Sequence, residues 1–332
     1  MNVSVLGCGT WGSAVAQALA DKGIAVTAWQ RYENKSLEME STRRHPILTD
    51  FEFNRNITFT ANFDDTIAFG EIIILAVPSH VIRDVTSQAS KVFTNDTIIV
   101  NLAKGIENDT LMTMSQVIHA ESGLKEGQIV SLYGPSHAEE VVRKLPTTLV
   151  AGCVDKNTSS FIQELMSSEY LRIYRNDDIL GVEIGGSLKN IMAIAAGVCD
   201  GIGYGDNSKA AILTRGMNEM TKLGLKMGAN KSTFSGLSGI GDLLVTALSN
   251  HSRNRFVGEK IGKGESLEEV TDNMKMVAEG INTCKAIPDL VDKYEIEMPI
   301  SQSIYDILFN KKDPLKVVKE LMTRKLGPEI AE

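Results

Sequence analysis

The sequence predicts an α/β fold: a doubly wound, mainly parallel sheet over residues 1–178 and an all-helical domain over residues 179–332. Three observations predict it. The chain opens on a short apolar strand, a glycine-rich turn and a helix. Strand-like and helical patterns then alternate as far as about Asp178. Beyond that point the strand signals stop and helical ones take over.

The opening unit is Asn2–Leu6, then Gly7-Cys8-Gly9-Thr10-Trp11-Gly12, then a helical Ser13–Ala20. Each glycine has a task in that order: Gly7 makes a tight strand-to-helix turn, Gly9 lets the backbone approach a pyrophosphate, and Gly12 packs helix against strand. The pyrophosphate then faces a helix N-terminus. Lys22-Gly23 stops the helix and Ile24–Trp29 is the second strand, which completes a Rossmann-like dinucleotide unit. An acid at the end of that strand would take the ribose hydroxyls of NAD. The strand ends instead in Trp29-Gln30-Arg31, with no carboxylate to repel a 2′-phosphate and a guanidinium suited to pair with one. NADPH is thus admissible beside NADH; the alternative is that Arg31 is a solvated residue at a strand end.

Further strands are expected at Ile57–Thr60, Ile72–Val77, Thr97–Leu102, Gln128–Tyr133, Thr147–Gly152 and Leu171–Tyr174, the early ones forming the sheet centre. Ile72–Val77 and Thr97–Val100 are nearly continuous apolar runs, as in strands covered on both faces. From Ile179 to Val198 a long apolar helix is expected, interrupted by Gly185-Gly186. Ser266-Leu267-Glu268-Glu269 is a capping box, and Asp313-Pro314 opens the last helix with Pro at the tolerated first position.

Composition narrows the function. At 332 residues, 43% hydrophobic and 23% charged, the chain is an ordinary globular protein long enough for two cores. A formal charge of −8 argues against nucleic acid as a partner, so an anion site must be a local basic cluster in a cleft. Cys8, Cys153, Cys199 and Cys284 are scattered, with no metal-ligand spacing and no disulfide framework, which fits a reducing cytoplasm. The N-terminus lacks the pattern of a signal peptide, and no run reaches the length of a membrane span. The sequence does not fix the oligomeric state; a homodimer is compatible with it.

Ligands in such sheets bind beyond the carboxyl ends of the strands. Three loops lie there: Pro78-Ser79-His80, Lys104-Gly105 and Gly134-Pro135-Ser136-His137-Ala138. Lys104 either points into the crevice or is a surface lysine. His80 and His137 read as helix-start residues in preference to acid/base groups. Lys189 has Gly185, Gly186, Met192 and Ala193 at helical spacing and no carboxylate, so on a buried helix its pKa falls toward the range useful for proton transfer. Otherwise its stem snorkels to the surface. Asp242, flanked by Gly241, is either its carboxylate partner or a helix cap. A helix starting near Ser252 would place Arg253 and Arg255 in its first turn, beside free N–H groups, which makes a phosphate site.

Taken together these motifs resemble the NAD(P)-dependent glycerol-3-phosphate dehydrogenase family of the bacterial type. The likeness runs through Gly7–Gly12, Val77–His80, Lys104-Gly105, Gly134–Ala138, Gly185–Asn190, Asp200–Gly203, Thr214–Gly216, Gly241-Asp242, Ser252–Arg255 and Val277–Gly280. It implies a small-molecule reaction, the interconversion of dihydroxyacetone phosphate and sn-glycerol 3-phosphate with NADPH or NADH, supplying glycerophospholipid synthesis. It makes Lys189 the proton donor and acceptor with Asp242 beside it, while Lys104 polarises the same oxygen as the nicotinamide delivers hydride. Lys104, Gly134, Ser136, Lys189, Asp242, Ser252, Arg253 and Asn254 would hold substrate. Thr10, Trp11, Arg31, Lys104, Ala138, Arg253, Val277 and Glu279 would hold the cofactor along with Gly7, Gly9 and Gly12. No metal is implied. Two departures stand out. Cys8 replaces the usual small Ala, which makes thiol modification beside the pyrophosphate conceivable, and Arg31 sits where the family varies. The rival readings are another hydroxy-acid dehydrogenase of the same two-domain plan, and a silent NAD(P)-sensing module.

Overall fold

A computed structural model gives the fold and describes residues 1–49, 51–274 and 278–329. One sheet contains β1 (Asn2–Leu6), β2 (Ala25–Trp29), β3 (Ile57–Thr60), β4 (Ile72–Leu75), β5 (Ile98–Asn101), β6 (Ile129–Tyr133), β7 (Thr147–Gly152) and β8 (Leu171–Asn176). The spatial order is β3-β2-β1-β4-β5-β6-β7-β8. The order reverses between β1 and β4, which opens a crevice beyond their carboxyl ends. Among the early strands β1 and β4 are internal, whereas β3 is an edge and not part of the centre, because β2 and β3 add outward from β1. β3 and β7 have the expected bounds; other expected strands overran by a residue or two, at Ile24, Ala76, Val77, Thr97, Leu102 and Gln128, while β8 runs two residues past the expected Tyr174.

Interleaved with the strands are α1 (Thr10–Asp21), α2 (Glu33–Thr42), α3 (Phe63–Phe69), α4 (Ile82–Ala89), α5 (Met114–Ser122), α6 (Ala138–Val141) and α7 (Lys156–Met166). Side-chain alternation feeds two cores. Val3, Val5, Ile72 and Ile74 meet Val15 and Leu19 of α1 and Ile162 of α7 on one face. Leu6, Ile73 and Leu75 meet Ile82 of α4 and Val117 of α5 on the other. All pairings are parallel except β6 with β7. The intervening residues 134–146 carry just the short α6, too little helix for a crossover, so the chain returns antiparallel.

The remainder is helical: α8 (Ile179–Gly201), α9 (Asp206–Met227), α10 (Lys231–Phe234), α11 (Asp242–Leu248), α12 (Arg253–Gly262), α13 (Leu267–Asp272), α14 (Glu279–Lys285), α15 (Ile287–Tyr294), α16 (Pro299–Phe309) and α17 (Pro314–Met322). The Asp178 carboxylate caps α8 by accepting from Gly181 N at 2.9 Å. Contrary to expectation, Gly185-Gly186 does not interrupt α8. These glycines are points of close approach: a Cβ on Gly185 would lie 2.6 Å from Ser238 O, and one on Gly186 would lie 2.5 Å from the Tyr133 ring. Leu188, Ile191, Met192 and Ile194 are fully buried, each contributing about 1.5–3 kcal/mol by leaving water. By length and composition α8 could cross a membrane, but 89% of that stretch is buried inside this protein. The expected capping box at Ser266 and Pro start at Pro314 are both present.

Candidate active site

The glycine turn is built for a dinucleotide. Gly7 has φ +114°, and a Cβ there would meet Ala76 O at 2.7 Å, while one on Gly12 would meet Gly7 O at 2.0 Å. Gly9 by contrast faces open space, and no side chain caps the start of α1, so its first N–H groups are available to an anion. Thr10 is buried at that start, and the neighbouring Trp11 Nε1 is a buried donor without a partner among the described residues. These features fit a bound dinucleotide. His45 buttresses the turn: its Nδ1 accepts from Ile47 N and Leu48 N at 3.1 Å each, which leaves Nε2–H facing Cys8 O at 3.4 Å. Nothing in the sequence pointed to His45. Cys8 itself is buried against Trp29 O, and burial pushes its thiol well above the ordinary range, so thiol modification beside the pyrophosphate is disfavoured. Arg31 is exposed just past β2, its guanidinium 5.9 Å from the Tyr32 ring.

Beyond β5 and β6 a second cluster forms. Lys189, 6% exposed, donates to Asp242 Oδ1 at 2.8 Å and Thr246 Oγ1 at 2.5 Å. Lys104 donates to Asp242 Oδ2 at 2.6 Å and Gly134 O at 3.2 Å. Asp242, 1% exposed, thus carries two ammonium groups, one from each half of the molecule. The Gly-rich π-helix Leu237–Gly241 delivers it, pressed against Gly185. The Lys104 loop is pinned by Asn101, whose amide donates to Ala103 O at 3.1 Å, and by the Tyr133 hydroxyl, which donates to the same oxygen.

Burial lowers the Lys189 pKa to about 8; Asp242 opposes the shift, while Lys104 and Arg253 add to it. Burial opposes ionisation of Asp242, yet the two lysines outweigh it and hold the carboxyl below its usual range. Asp242 is therefore an anion, and Lys189 is an ammonium poised to lose its proton.

Opposite lies the start of α12. Ser252 Oγ accepts from Arg255 N at 3.2 Å. Arg255 turns away, its Nε and Nη2 donating to Asp200 Oδ2 at 2.8 and 2.7 Å. Arg253 is exposed, within electrostatic range of Glu279 and Glu139. Asn254 ties two helices together, its amide donating to Asn190 Oδ1 and its oxygen accepting from Gly280 N, both at 2.9 Å. Ser136 Oγ donates to Gly134 O at 3.0 Å, and Ala138 starts α6 against Ala14. Glu279 accepts from Ser79 N at 3.1 Å and Ser79 Oγ at 2.5 Å. Val277 lies outside the described residues. His80 is exposed in a 3₁₀ turn, and His137 precedes α6 with its ring centroid 5.6 Å from that of His251.

Sequence reasoning gave no role to Thr246, Asn190 or Tyr133. The first sits one helical turn after Asp242 and the second beside Lys189, spacings that mark them once the helices are known.

The chain matches, over residues 2–159 and 178–319, the N-terminal and C-terminal parts of the family described as NAD-dependent glycerol-3-phosphate dehydrogenase. A relative from Salinibacter ruber, named glycerol-3-phosphate dehydrogenase, NAD(P)+, 2, is 46% identical over 97% of this chain and 94% of its own. One of the same name without the numeral, from Chlorobium luteolum, is 46% identical over 99% of both. A crystal structure of glycerol-3-phosphate dehydrogenase from Coxiella burnetii superposes with a TM-score of 0.91 at 32% identity, covering 97% of this chain and 99% of that one.

Proposed function

The chain belongs to the NAD-dependent glycerol-3-phosphate dehydrogenase family, and from that premise we propose how its residues divide the reaction. The enzyme is an oxidoreductase that reduces dihydroxyacetone phosphate to glycerol 3-phosphate, reversibly, with NAD(P)H. Residues 1–178 serve the dinucleotide and 179–332 the substrate. The Gly7-Cys8-Gly9 turn, Thr10, Trp11, Gly12 and Ala138 hold the pyrophosphate region, and Arg31 lies nearest the adenosine ribose. Glu279, Val277 and Arg253 serve the other end. The nicotinamide supplies the hydride.

One observation carries the assignment of the chemistry: Lys189 and Lys104 share the buried Asp242 carboxylate. Each ammonium has three N–H groups. Two on Lys189 go to Asp242 and Thr246, and two on Lys104 go to Asp242 and Gly134 O, leaving one on each for a substrate oxygen. As the C2 carbonyl becomes an alkoxide, Lys189 gives it a proton and Lys104 stabilises the developing charge. Asp242 fixes both nitrogens and keeps Lys189 protonated near neutral pH. Gly134, Ser136, Ser252, Arg253 and Asn254 shape the substrate site, with the substrate phosphate at the start of α12, where the helix dipole and the Arg253 guanidinium favour a dianion. The product feeds glycerophospholipid synthesis in the cytoplasm, a reading supported by the bacterial relatives; a homodimer remains compatible with it.

The test follows NADPH and NADH absorbance with dihydroxyacetone phosphate, unphosphorylated dihydroxyacetone and a panel of 2-keto acids. Turnover with the phosphate, and little with dihydroxyacetone, is expected. Preference for a keto acid supports the rival dehydrogenase, and no turnover supports the sensing module.

A further inference from the structure

Among the described residues, three carboxylates hold a serine distant in sequence in the same two-pronged way, through its N–H and its hydroxyl; Glu269 does so only locally, within the Ser266 capping box. Glu183 holds Ser115 at 2.8 and 2.6 Å. Glu219 holds Ser301 at 3.0 and 2.8 Å. Both acids are at most 4% exposed, and both cap the start of a neighbouring helix. The third pair, Glu279 with Ser79, differs in place. It spans 200 residues of sequence, joins a loop past β4 to the start of α14, and leaves Glu279 half-buried at the cleft.

Its location is informative. With the pyrophosphate at the β1 turn and the order reversing between β1 and β4, a dinucleotide lays its nicotinamide half over the ends of β4 and β5. Ser79 follows β4 and Lys104 follows β5. Gly105 lets the two loops close up, since a Cβ there would come within 2.6 Å of Ser79 Cβ and Oγ. Glu279 also lies within electrostatic range of Arg253. The carboxylate is thus tied to the loop past β4 and near the arginine assigned to the phosphate, and Ser79 holds both its oxygens.

We propose that Ser79 is a positioning residue for the nicotinamide half of the cofactor, orienting the Glu279 carboxylate across the cleft from the sheet half. The proposal rests on the reading of Glu279 as a cofactor residue. The Ser79 hydroxyl adds a hydrogen bond to a charged group, so its loss is expected to weaken cofactor binding by roughly tenfold. The backbone N–H bond survives substitution.

The experiment titrates the full chain with NADPH and with 2′-phospho-ADP-ribose, which lacks only the nicotinamide, reading tryptophan fluorescence. Ser79→Ala should raise the NADPH Kd by roughly tenfold and leave the fragment Kd unchanged, while Ser79→Thr restores NADPH binding. With Glu279→Ala already present, Ser79→Ala should add nothing. An unchanged NADPH Kd in Ser79→Ala, or equal weakening of NADPH and fragment, overturns the proposal. If Glu279→Ala itself leaves NADPH binding intact, the reading of Glu279 fails first, a result distinguishable from failure of Ser79 alone. A thermal melt of each variant separates these outcomes from misfolding.

Discussion

At the scale of single residues, the proton donor we propose, Lys189, is an amine whose charge is costly to bury. If Lys189 is the proton donor proposed above, its pKa of about 8 makes the ammonium the active form for reduction and the free amine the active form for oxidation. The kcat/KM for dihydroxyacetone phosphate should accordingly be level below that pH and fall above it, whereas oxidation of glycerol 3-phosphate should rise through the same pH. Parallel profiles in both directions would exclude Lys189 as the titrating group. Lys189→Met should cost about 10²–10⁴-fold in turnover with NADPH affinity intact; steady-state rates within a few-fold of wild type would remove it from the chemistry. Two arginines two residues apart should also separate cleanly. Arg253→Ala should raise the KM for dihydroxyacetone phosphate by about tenfold or more, and the preference for the phosphate over dihydroxyacetone should shrink. Arg255, engaged by Asp200 and Asn250, belongs to the scaffold, and its loss should register in melting temperature before KM. Lys189 was legible in sequence because a lysine among Gly, Met and Ala is anomalous. Its partner was not fixed by sequence, since Asp242 lies 53 residues on and fitted a helix cap equally well.

At the scale of elements, the same carboxylate and hydroxyl chemistry closes open ends. Both edges of the sheet are covered by side chains. On β3, Glu40 accepts from Phe59 N at 2.7 Å and Arg43 donates to Ile57 O at 2.8 Å. On β8, Ser167 Oγ accepts from Ile173 N at 3.3 Å and Gln163 donates to Ile173 O at 2.7 Å. An edge satisfied in this way is a poor template for another strand. Glu183 does comparable work inside, capping α5 and also accepting from Ser131 Oγ at 2.7 Å. Glu183→Ala would leave several buried donors unpaired, each costing about 1–3 kcal/mol, so a loss of about 3 kcal/mol in urea unfolding is expected, with a smaller loss for Glu183→Gln, which keeps an acceptor. Equal stability of the alanine variant and wild type would mean water replaces the carboxylate without penalty. The strands were legible because buried parallel strands are continuous apolar runs. The antiparallel return of β7 was not, because the alternating pattern before and after it is that of a parallel sheet. Gly185-Gly186 misled in the other direction: propensity alone reads a break, whereas the Tyr133 ring and the Ser238 carbonyl fill the space a side chain would need.

At the scale of the whole molecule, α8 is the member that makes two halves into one. It packs against α9, α11, α12, α14 and α16 on the helical side and against β6 and β7 on the other. Two of the glutamate–serine grips, Glu183 with Ser115 and Glu279 with Ser79, cross the same boundary, as does the ion pair of Lys104 with Asp242. A boundary bridged by a buried helix and a shared carboxylate does not let either half unfold without exposing the other's core. Calorimetry should therefore show one transition with matching calorimetric and van't Hoff enthalpies. Saturating NADPH, which we assign mainly to the sheet half, should nonetheless raise that single transition as a unit, by about 2.7 kcal/mol of stability at a hundredfold excess over Kd. The same shift is expected in Lys189→Met, which keeps the cofactor site. Two transitions, of which the cofactor moves one, would show that the halves melt independently and that α8 is a linker and not a spine.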